Sequence, residues 1–257
     1  MRNIRVIPCL LWSKNGLVKS VKFKKPVYVG DAVNAIRIFN EKEVDELIFL
    51  DTEASKAKKE PDIPLIRKVA SECFMPLCYG GGVRSLQHIR NIVAAGVEKV
   101  SFNTIAVEKP GFVKEAANAF GSSTIVVCID YLKKFLGREV VTSLGGQEKS
   151  KYNPFEFAQL MEDMGAGEVV LNSIDRDGTM IGYDLDLLAK VSEKLSISVI
   201  ALGGAGTTEH LKQAAQQTNI SGVAAGSMFV FRGKHKAVLI NYPSSLTAQL
   251  NKLKSDE

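Results

Sequence analysis

Tyr79-Gly80-Gly81-Gly82-Val83-Arg84-Ser85 is the stretch on which the reading of this chain turns. An apolar run, Phe74-Met75-Pro76-Leu77-Cys78, leads into it, and a helix-like segment, Ser85-Leu86-Gln87-His88-Ile89-Arg90, leaves it. Three glycines at a strand-to-helix junction permit a sharp turn and a close approach of backbone to a ligand. The helix start beyond points unpaired N–H groups and the positive end of its dipole at that ligand, so a phosphate is the natural guest. A tight turn without a ligand has the same composition. Recurrence separates the two: Gly203-Gly204-Ala205-Gly206 stands at the end of a later apolar run.

Other segments repeat with it. Val100-Ser101-Phe102-Asn103-Thr104 matches Val223-Ala224-Ala225-Gly226-Ser227, and Ile7-Pro8-Cys9-Leu10-Leu11 matches Val127-Cys128-Ile129-Asp130. Leu50-Asp51 sits opposite Ile174-Asp175-Arg176-Asp177-Gly178. Each offset is roughly 120 residues, half the chain. Eight apolar runs read as strands: Arg5 to Leu10, Glu46 to Leu50, Met75 to Tyr79, Lys99 to Phe102, Thr124 to Ile129, Glu168 to Leu171, Ser198 to Leu202 and Gly222 to Ala225. Amphipathic stretches between them, such as Asp31 to Asn40, Asp62 to Glu72, Pro110 to Phe120, Pro154 to Met164 and Asp186 to Leu195, read as helices.

Strand–helix alternation implies a parallel sheet covered by helices. Eight such units in 257 residues match the size of a (β/α)8 barrel. A doubly wound open sheet is the alternative, but it usually has fewer strands and one switch-point site, whereas glycine-rich strand ends recur here. The expected fold is an α/β (β/α)8 TIM barrel built from two (β/α)4 half-barrels. The barrel would span residues 4–231 of a single domain, 1–257, and leave a divergent C-terminal segment at 232–257. Both glycine arms would then face each other across the mouth, and a ligand with a phosphate at each end would span them.

Composition narrows the partners. The net charge is +5, with 46% apolar and 24% charged residues, ordinary for a globular protein. Lysines concentrate in two runs, Lys14 to Lys25 and Lys56 to Lys59, without the interleaved aromatics of a nucleic-acid face. A phosphorylated small molecule suits such local clusters better. Cys9, Cys73, Cys78 and Cys128 lie in or beside apolar runs with no Cys-x-x-Cys pair, so neither a zinc site nor a disulfide framework is indicated. They read as core cysteines of a reducing compartment. No signal-peptide core or membrane-length apolar stretch is present. A cytoplasmic protein without metal or cofactor is expected.

The chemistry should lie between the arms. Asp130 ends an apolar strand, where partial desolvation raises a carboxyl pKa and suits it to general acid–base work. Its counterpart in the other half is Leu11, so one proton-handling group stands where the repeat predicts two. A second set is charged: Arg5, Glu46, Lys99 and Glu168 each open an apolar strand and would meet at the bottom of the barrel. Barrel interiors are normally packed with branched apolar side chains, and buried charge needs pairing. A neutral ring of four could be a salt-bridged plug or a gate for a small polar molecule. Lys19, in what reads as a long loop with Lys14 and Asn15-Gly16, could close over a phosphate. Asp175-Arg176-Asp177-Gly178-Thr179 with Gly182-Tyr183-Asp184 is a dense polar loop suited to a site. His88, His210 and His235 read as surface residues, and Trp12 as apolar bulk filling the space an acid would have used.

At these residues the chain resembles the cyclase subunit of imidazole glycerol phosphate synthase, the HisF type. The similarity covers residues 4–231. It rests on Ile7-Pro8-Cys9-Leu10, Gly80-Gly81-Gly82-Val83-Arg84-Ser85, Asn103-Thr104, Asn172-Ser173-Ile174-Asp175-Arg176-Asp177-Gly178-Thr179, Gly182-Tyr183-Asp184 and Gly203-Gly204-Ala205-Gly206. The resemblance implies a bis-phosphorylated substrate held at Gly82, Asn103 and Thr104 on one arm and at Gly178, Gly204, Gly226 and Ser227 on the other, with Lys19 and Asp177 beside it. It also implies an ammonia gate of Arg5, Glu46, Lys99 and Glu168, and a glutaminase docked on the bottom face near Met75-Pro76 and Glu98.

Two departures stand out. The family has a catalytic aspartate at the end of each of strands one and five, and this chain keeps only Asp130, with Leu11 at the first. Phe229 to Pro243 replaces the family's last helix. Both departures resemble a paralogous branch associated with sugar amidation in surface-polysaccharide gene clusters, where ammonia passes to a separate amidating enzyme. The expectation is an ammonia-channelling barrel of that kind. The alternatives are a working cyclase in histidine biosynthesis and a non-catalytic activator of a glutaminase.

Overall fold

The computed structural model describes residues 3–14, 16–134, 137–233, 235–243 and 245–255. Asn15, grouped above with Lys14 and Gly16, and Lys234 of the divergent segment lie outside the described residues. The first half contains β1 (Arg5–Ser13), β2 (Gly16–Val21), β3 (Lys24–Gly30), α1 (Ala32–Glu41), β4 (Leu47–Asp51) and α2 (Ile63–Glu72). It continues with β5 (Leu77–Gly80), α3 (Leu86–Ala94), β6 (Lys99–Phe102), α4 (Thr104–Glu108) and α5 (Gly111–Phe120). The second half runs through β7 (Ile125–Lys133), β8 (Glu139–Ser143), β9 (Glu148–Lys149), α6 (Pro154–Asp163), β10 (Glu168–Ser173) and α7 (Leu185–Lys194). It ends with β11 (Ser198–Leu202), α8 (Thr208–Gln217), β12 (Gly222–Ala225), α9 (Ser227–Val230), β13 (Phe231–Arg232), β14 (Ala237–Val238) and α10 (Leu246–Ser255).

Eight parallel strands run in the order β10-β11-β12-β1-β4-β5-β6-β7, and β10 pairs with β7 to close the ring. The fold is a (β/α)8 barrel. Alternate residues of each strand face opposite sides. Ile7, Cys9, Ile48, Cys78, Val126, Cys128, Val170, Ile200, Leu202 and Ala224 fill the lumen, while residues such as Val6, Leu10 and Phe49 pack under the helices. Strands buried on both faces read as unbroken apolar runs, which is why all eight were visible in the sequence.

The half-chain repeat is physical. A β-hairpin follows the first strand of each half, β2–β3 and β8–β9. The short helices α4 and α9 start from Asn103 (φ −115°, ψ −65°) and Gly226 (φ −104°, ψ −71°), nearly the same backbone. Ser85 and Thr207 cap α3 and α8, each accepting from the N–H of a histidine, His88 or His210. Gly81 and Gly204 take φ of +124° and +115°, and a side chain there would meet the Asp51 carbonyl at 2.5 Å and the Gly182 carbonyl at 2.1 Å. Only glycine fits either turn.

Four expectations change. The segment holding Lys19 is a hairpin, not a loop: the dense lysines hide a strand whose Leu17, Val18 and Lys19 are all buried. The last helix is present as α10, after the β13–β14 hairpin. It is fastened to the foot of β1 by Asn251 Oδ1, which accepts from Ile4 N–H at 2.6 Å, and by Thr247, which donates to Asp45 at 2.6 Å. His88 and His210 are half-buried capping residues whose Nδ1 atoms accept from Arg84 and Gly206 N–H groups at 3.3 and 3.2 Å. Trp12, one residue out of phase with the lumen, packs against Phe49 beneath the helices with the rings tilted by 34° and their centroids 6.0 Å apart, and it does not line the mouth. Among the described residues no helix is long and apolar enough to cross a membrane.

Candidate active site at the barrel mouth

A cavity opens at the C-terminal ends of the strands. Its wall includes Lys19, Gly82, Asn103, Thr104, Asp130, Asp177, Gly226 and Ser227, so residues from both arms meet in one space. Gly178 and Gly204 stand behind that wall. Gly178 packs on the Ser20 carbonyl, and the Gly204 carbonyl accepts Gly182 N–H at 2.8 Å. Leu11, Lys56, Ser55 and Asn172 also line the cavity. Asn172 had appeared only inside a motif, although its place at a strand end offered a signal.

Asp130 is buried on β7, one residue before the last pair that β7 makes with β10. Its carboxyl accepts Asn172 Nδ2 at 2.8 Å and Cys128 Sγ at 3.6 Å. Burial lifts its pKa to about 6 against the pull of those two donors. Asp177, in the loop after β10, is likewise raised to about 6 by burial, with Lys19 opposing. Two carboxyls that can exchange protons near neutrality therefore share the cavity.

Lys19 reaches across from β2, is 5% exposed and donates to the Cys9 carbonyl at 2.6 Å. Burial lowers its pKa. Its ammonium occupies the space a side chain at Gly226 would need, 2.2 Å from the Cβ position. On the first arm Asn103 donates to the Cys128 and Thr142 carbonyls at 3.1 and 3.0 Å, and Thr104 Oγ1 accepts Leu144 N–H at 3.3 Å. Gly82 N–H donates to Ser55 Oγ at 3.3 Å. These bonds fasten the residues of the first arm to the strand ends and loops around the cavity.

The mouth is asymmetric in its chemistry. Asp130 lies beside Asn172 in the β7–β10 register, and in the other half Leu11 lies beside Leu50 in the β1–β4 register. A polar pair thus faces an apolar pair. The register also aligns Leu50 with Asn172 rather than with Ile174, correcting the match made from sequence.

At the opposite end, Arg5, Glu46, Lys99 and Glu168 close a ring. Arg5 pairs with both Glu46 and Glu168. Lys99 Nζ lies 2.8 Å from Glu46 and 3.4 Å from Glu168. Both glutamates are buried, at 2% and 6% exposure, so their charges are matched by cations rather than by water. Burial pulls the Arg5 guanidinium down, but Glu168 and Glu46 outweigh it and hold its pKa above the ordinary value. Between ring and mouth the lumen is apolar apart from the three thiols and Ser101.

Comparison with known proteins agrees with this architecture. The profile of a family described as "Histidine biosynthesis protein" matches residues 5–236. A Pseudomonas aeruginosa protein, provisionally named imidazole glycerol phosphate synthase subunit hisF2, is 53% identical over 93% of this chain and 95% of its own length. Provisionally named HisF subunits from Leptospira borgpetersenii and Vibrio vulnificus, the latter hisF3, are 48% and 47% identical. They cover 93% and 95% of this chain and 95% and 94% of their own lengths. With its barrel, its two glycine arms and these relatives, the chain belongs to the histidine biosynthesis protein family and is of the HisF type within it.

Proposed function

We propose that this chain is an ammonia-channelling HisF-type subunit working in the cytoplasm. A HisH-type glutaminase on the bottom face would release ammonia into the Arg5–Glu46–Lys99–Glu168 gate. The ammonia would leave at the mouth for a separate enzyme that amidates a sugar destined for surface polysaccharide. One observation carries this reading: the charged ring is complete while the mouth keeps Asp130 opposite Leu11 and Leu50. Leucine transfers no proton, and a lost general acid–base partner typically removes 10²-fold or more of rate. The glycine arms remain suited to a bis-phosphorylated ligand that orders the mouth. The sugar pathway rests on the resemblance of Leu11 and the C-terminal segment to the amidating branch. The test is turnover of the bis-phosphorylated histidine-pathway substrate by purified protein with ammonia. A rate near that of an ordinary cyclase overturns the reading.

The second reading is a working cyclase, and Asp177 favours it as a second carboxyl, half-buried, that lines the same cavity. Under that reading the gene rescues a histidine-requiring strain and Asp177→Asn abolishes rescue. An activator without chemistry of its own would leave amidation intact in Asp130→Asn.

A further inference from the structure

The four residues of the charged ring stand at the feet of strands, but the feet are not held alike. Lys99 is in register with Cys78 on β5, and Glu168 with Val126 on β7 and Ser198 on β11. Arg5 is in register with Gly222 on β12, and its N–H donates to the Ser221 carbonyl at 3.1 Å. On its other side the register of β1 with β4 starts only at Cys9 and Ile48. Glu46 itself precedes β4. The edge of the ring that runs from Arg5 to Glu46 is therefore spanned by no strand ladder.

Side chains span it instead. Asp45 Oδ2 accepts the Val6 N–H at 2.7 Å, and the same oxygen accepts the Thr247 hydroxyl of α10 at 2.6 Å. Val6 follows Arg5 and Asp45 precedes Glu46, so one carboxylate joins the backbones of both ring residues. Thr247 gives its proton to Asp45, so its oxygen accepts from the Tyr242 hydroxyl, 3.2 Å away. Tyr242 is buried against Phe229. One turn along α10 from Thr247, Asn251 grips Ile4, the residue on the other side of Arg5. Its Oδ1 accepts the Ile4 N–H at 2.6 Å and its Nδ2 donates to the Ile4 carbonyl at 3.4 Å. Leu246 and Leu250 anchor the helix in the core. Arg5 is thus bracketed by two contacts that both lead to α10. Hydrogen bonds weaken steeply when misaligned, so a shift of the β1 foot against Glu46 would part that edge.

We infer that α10 positions the ring: Thr247, through Asp45, and Asn251, through Ile4, hold Arg5 in register with Glu46 and keep that edge of the barrel floor shut. All three are positioning residues, acting through Arg5 and Glu46. The inference rests on the reading of the ring as a gate and places control of that gate in the C-terminal segment.

Cys78 reports on the floor. It is 1% exposed and in register with Lys99, whereas Cys9 and Cys128 line the cavity at the mouth. The test exposes the full chain to methyl methanethiosulfonate, which turns a thiol into its methyl disulfide, and reads the rate at each cysteine by peptide mass spectrometry. Thr247→Val keeps the shape and removes the hydroxyl, and Asn251→Ala removes the other bracket. Each should speed labelling of Cys78 about tenfold, the factor set by one lost hydrogen bond, and leave Cys9 and Cys128 unchanged. Thr247→Ser, which keeps the hydroxyl, should label like the parent. A helix that only stabilised the fold would quicken all three thiols together when weakened. That outcome, or an unchanged Cys78 in both Thr247→Val and Asn251→Ala, overturns the inference. Failure of the gate reading looks different: Cys78 quickens as expected, yet a HisH-type glutaminase docked on the parent passes no ammonia through the barrel. Delivery through the barrel with an unmoved Cys78 in both variants sinks the positioning role alone.

Discussion

The Asp130 carboxyl is held where its charge is disfavoured. Its pKa rises from 3.8 to about 6 through burial, so between those values the folded chain binds a proton the unfolded chain has released. Its contribution to stability is greatest below pH 4 and is lost as pH rises through about 6. Asp130→Asn removes the penalty. At pH 8 the variant should be more stable than the parent by up to about 3 kcal/mol, with the difference gone near pH 4. Urea melts at the two pH values check this, and equal destabilisation at both refutes it. Leu11→Asp makes the converse point. A second carboxyl opposite Asp130 should raise ammonia-dependent cyclase turnover about 10²-fold, read with the purified histidine-pathway substrate. Asp130 was legible because a charge ending an apolar run is conspicuous, and Leu11 because the repeat marked its place. Asn172 was not, since an amide inside a polar motif looks like loop chemistry until strand register sets it beside Asp130.

At the scale of elements, the eight barrel strands were readable from apolar runs, and the hairpins were not. β2 carries a buried lysine, Lys19, and β3 opens on the exposed Lys24 and Lys25, so neither reads as an apolar strand, and β8 depends on pairing with β7, which no local pattern reveals. The same holds for α10, whose attachment to β1 joins residues at opposite ends of the chain. That attachment can be tested. Asn251→Ala removes two hydrogen bonds to Ile4 and should cost about 1–2 kcal/mol. Faster amide exchange confined to the start of β1 would accompany it, and an unchanged exchange rate there would show that α10 does not hold the strand. Gly204→Ala should cost more, because its Cβ would meet the Gly182 carbonyl at 2.1 Å in a φ of +115°. A loss below about 1 kcal/mol would be inconsistent with that crowding.

For the whole molecule, the two faces invite separate experiments. Removing one charge from the ring leaves the others uncompensated. Lys99→Met should destabilise the fold by about 3–5 kcal/mol, whereas apolar replacement of all four charged residues should be nearly neutral. Thermal melts of the two proteins compare them directly. Phe74 precedes β5 at the bottom face and is 87% exposed, an apolar anchor of the kind that dominates interfaces. Phe74→Ser should leave the melting temperature unchanged and weaken association with a glutaminase at least tenfold by calorimetry. Unchanged affinity would remove Phe74 from the docking surface.

The ring has one more effect. Four charges alternating in sign around a closed square carry no net charge and almost no dipole, so their field is quadrupolar and fades far faster with distance than that of a single ion. Cys78, in register with Lys99, still feels it: burial raises this thiol, Glu46 and Glu168 raise it further, and Lys99 opposes them. The groups acting on Asp130 are Asn172, Cys128, Asp177 and Lys56, all at the mouth. A partner that swings Lys99 aside would leave a bare negative charge in its place, and the acid above would then sense from a distance that the floor had opened.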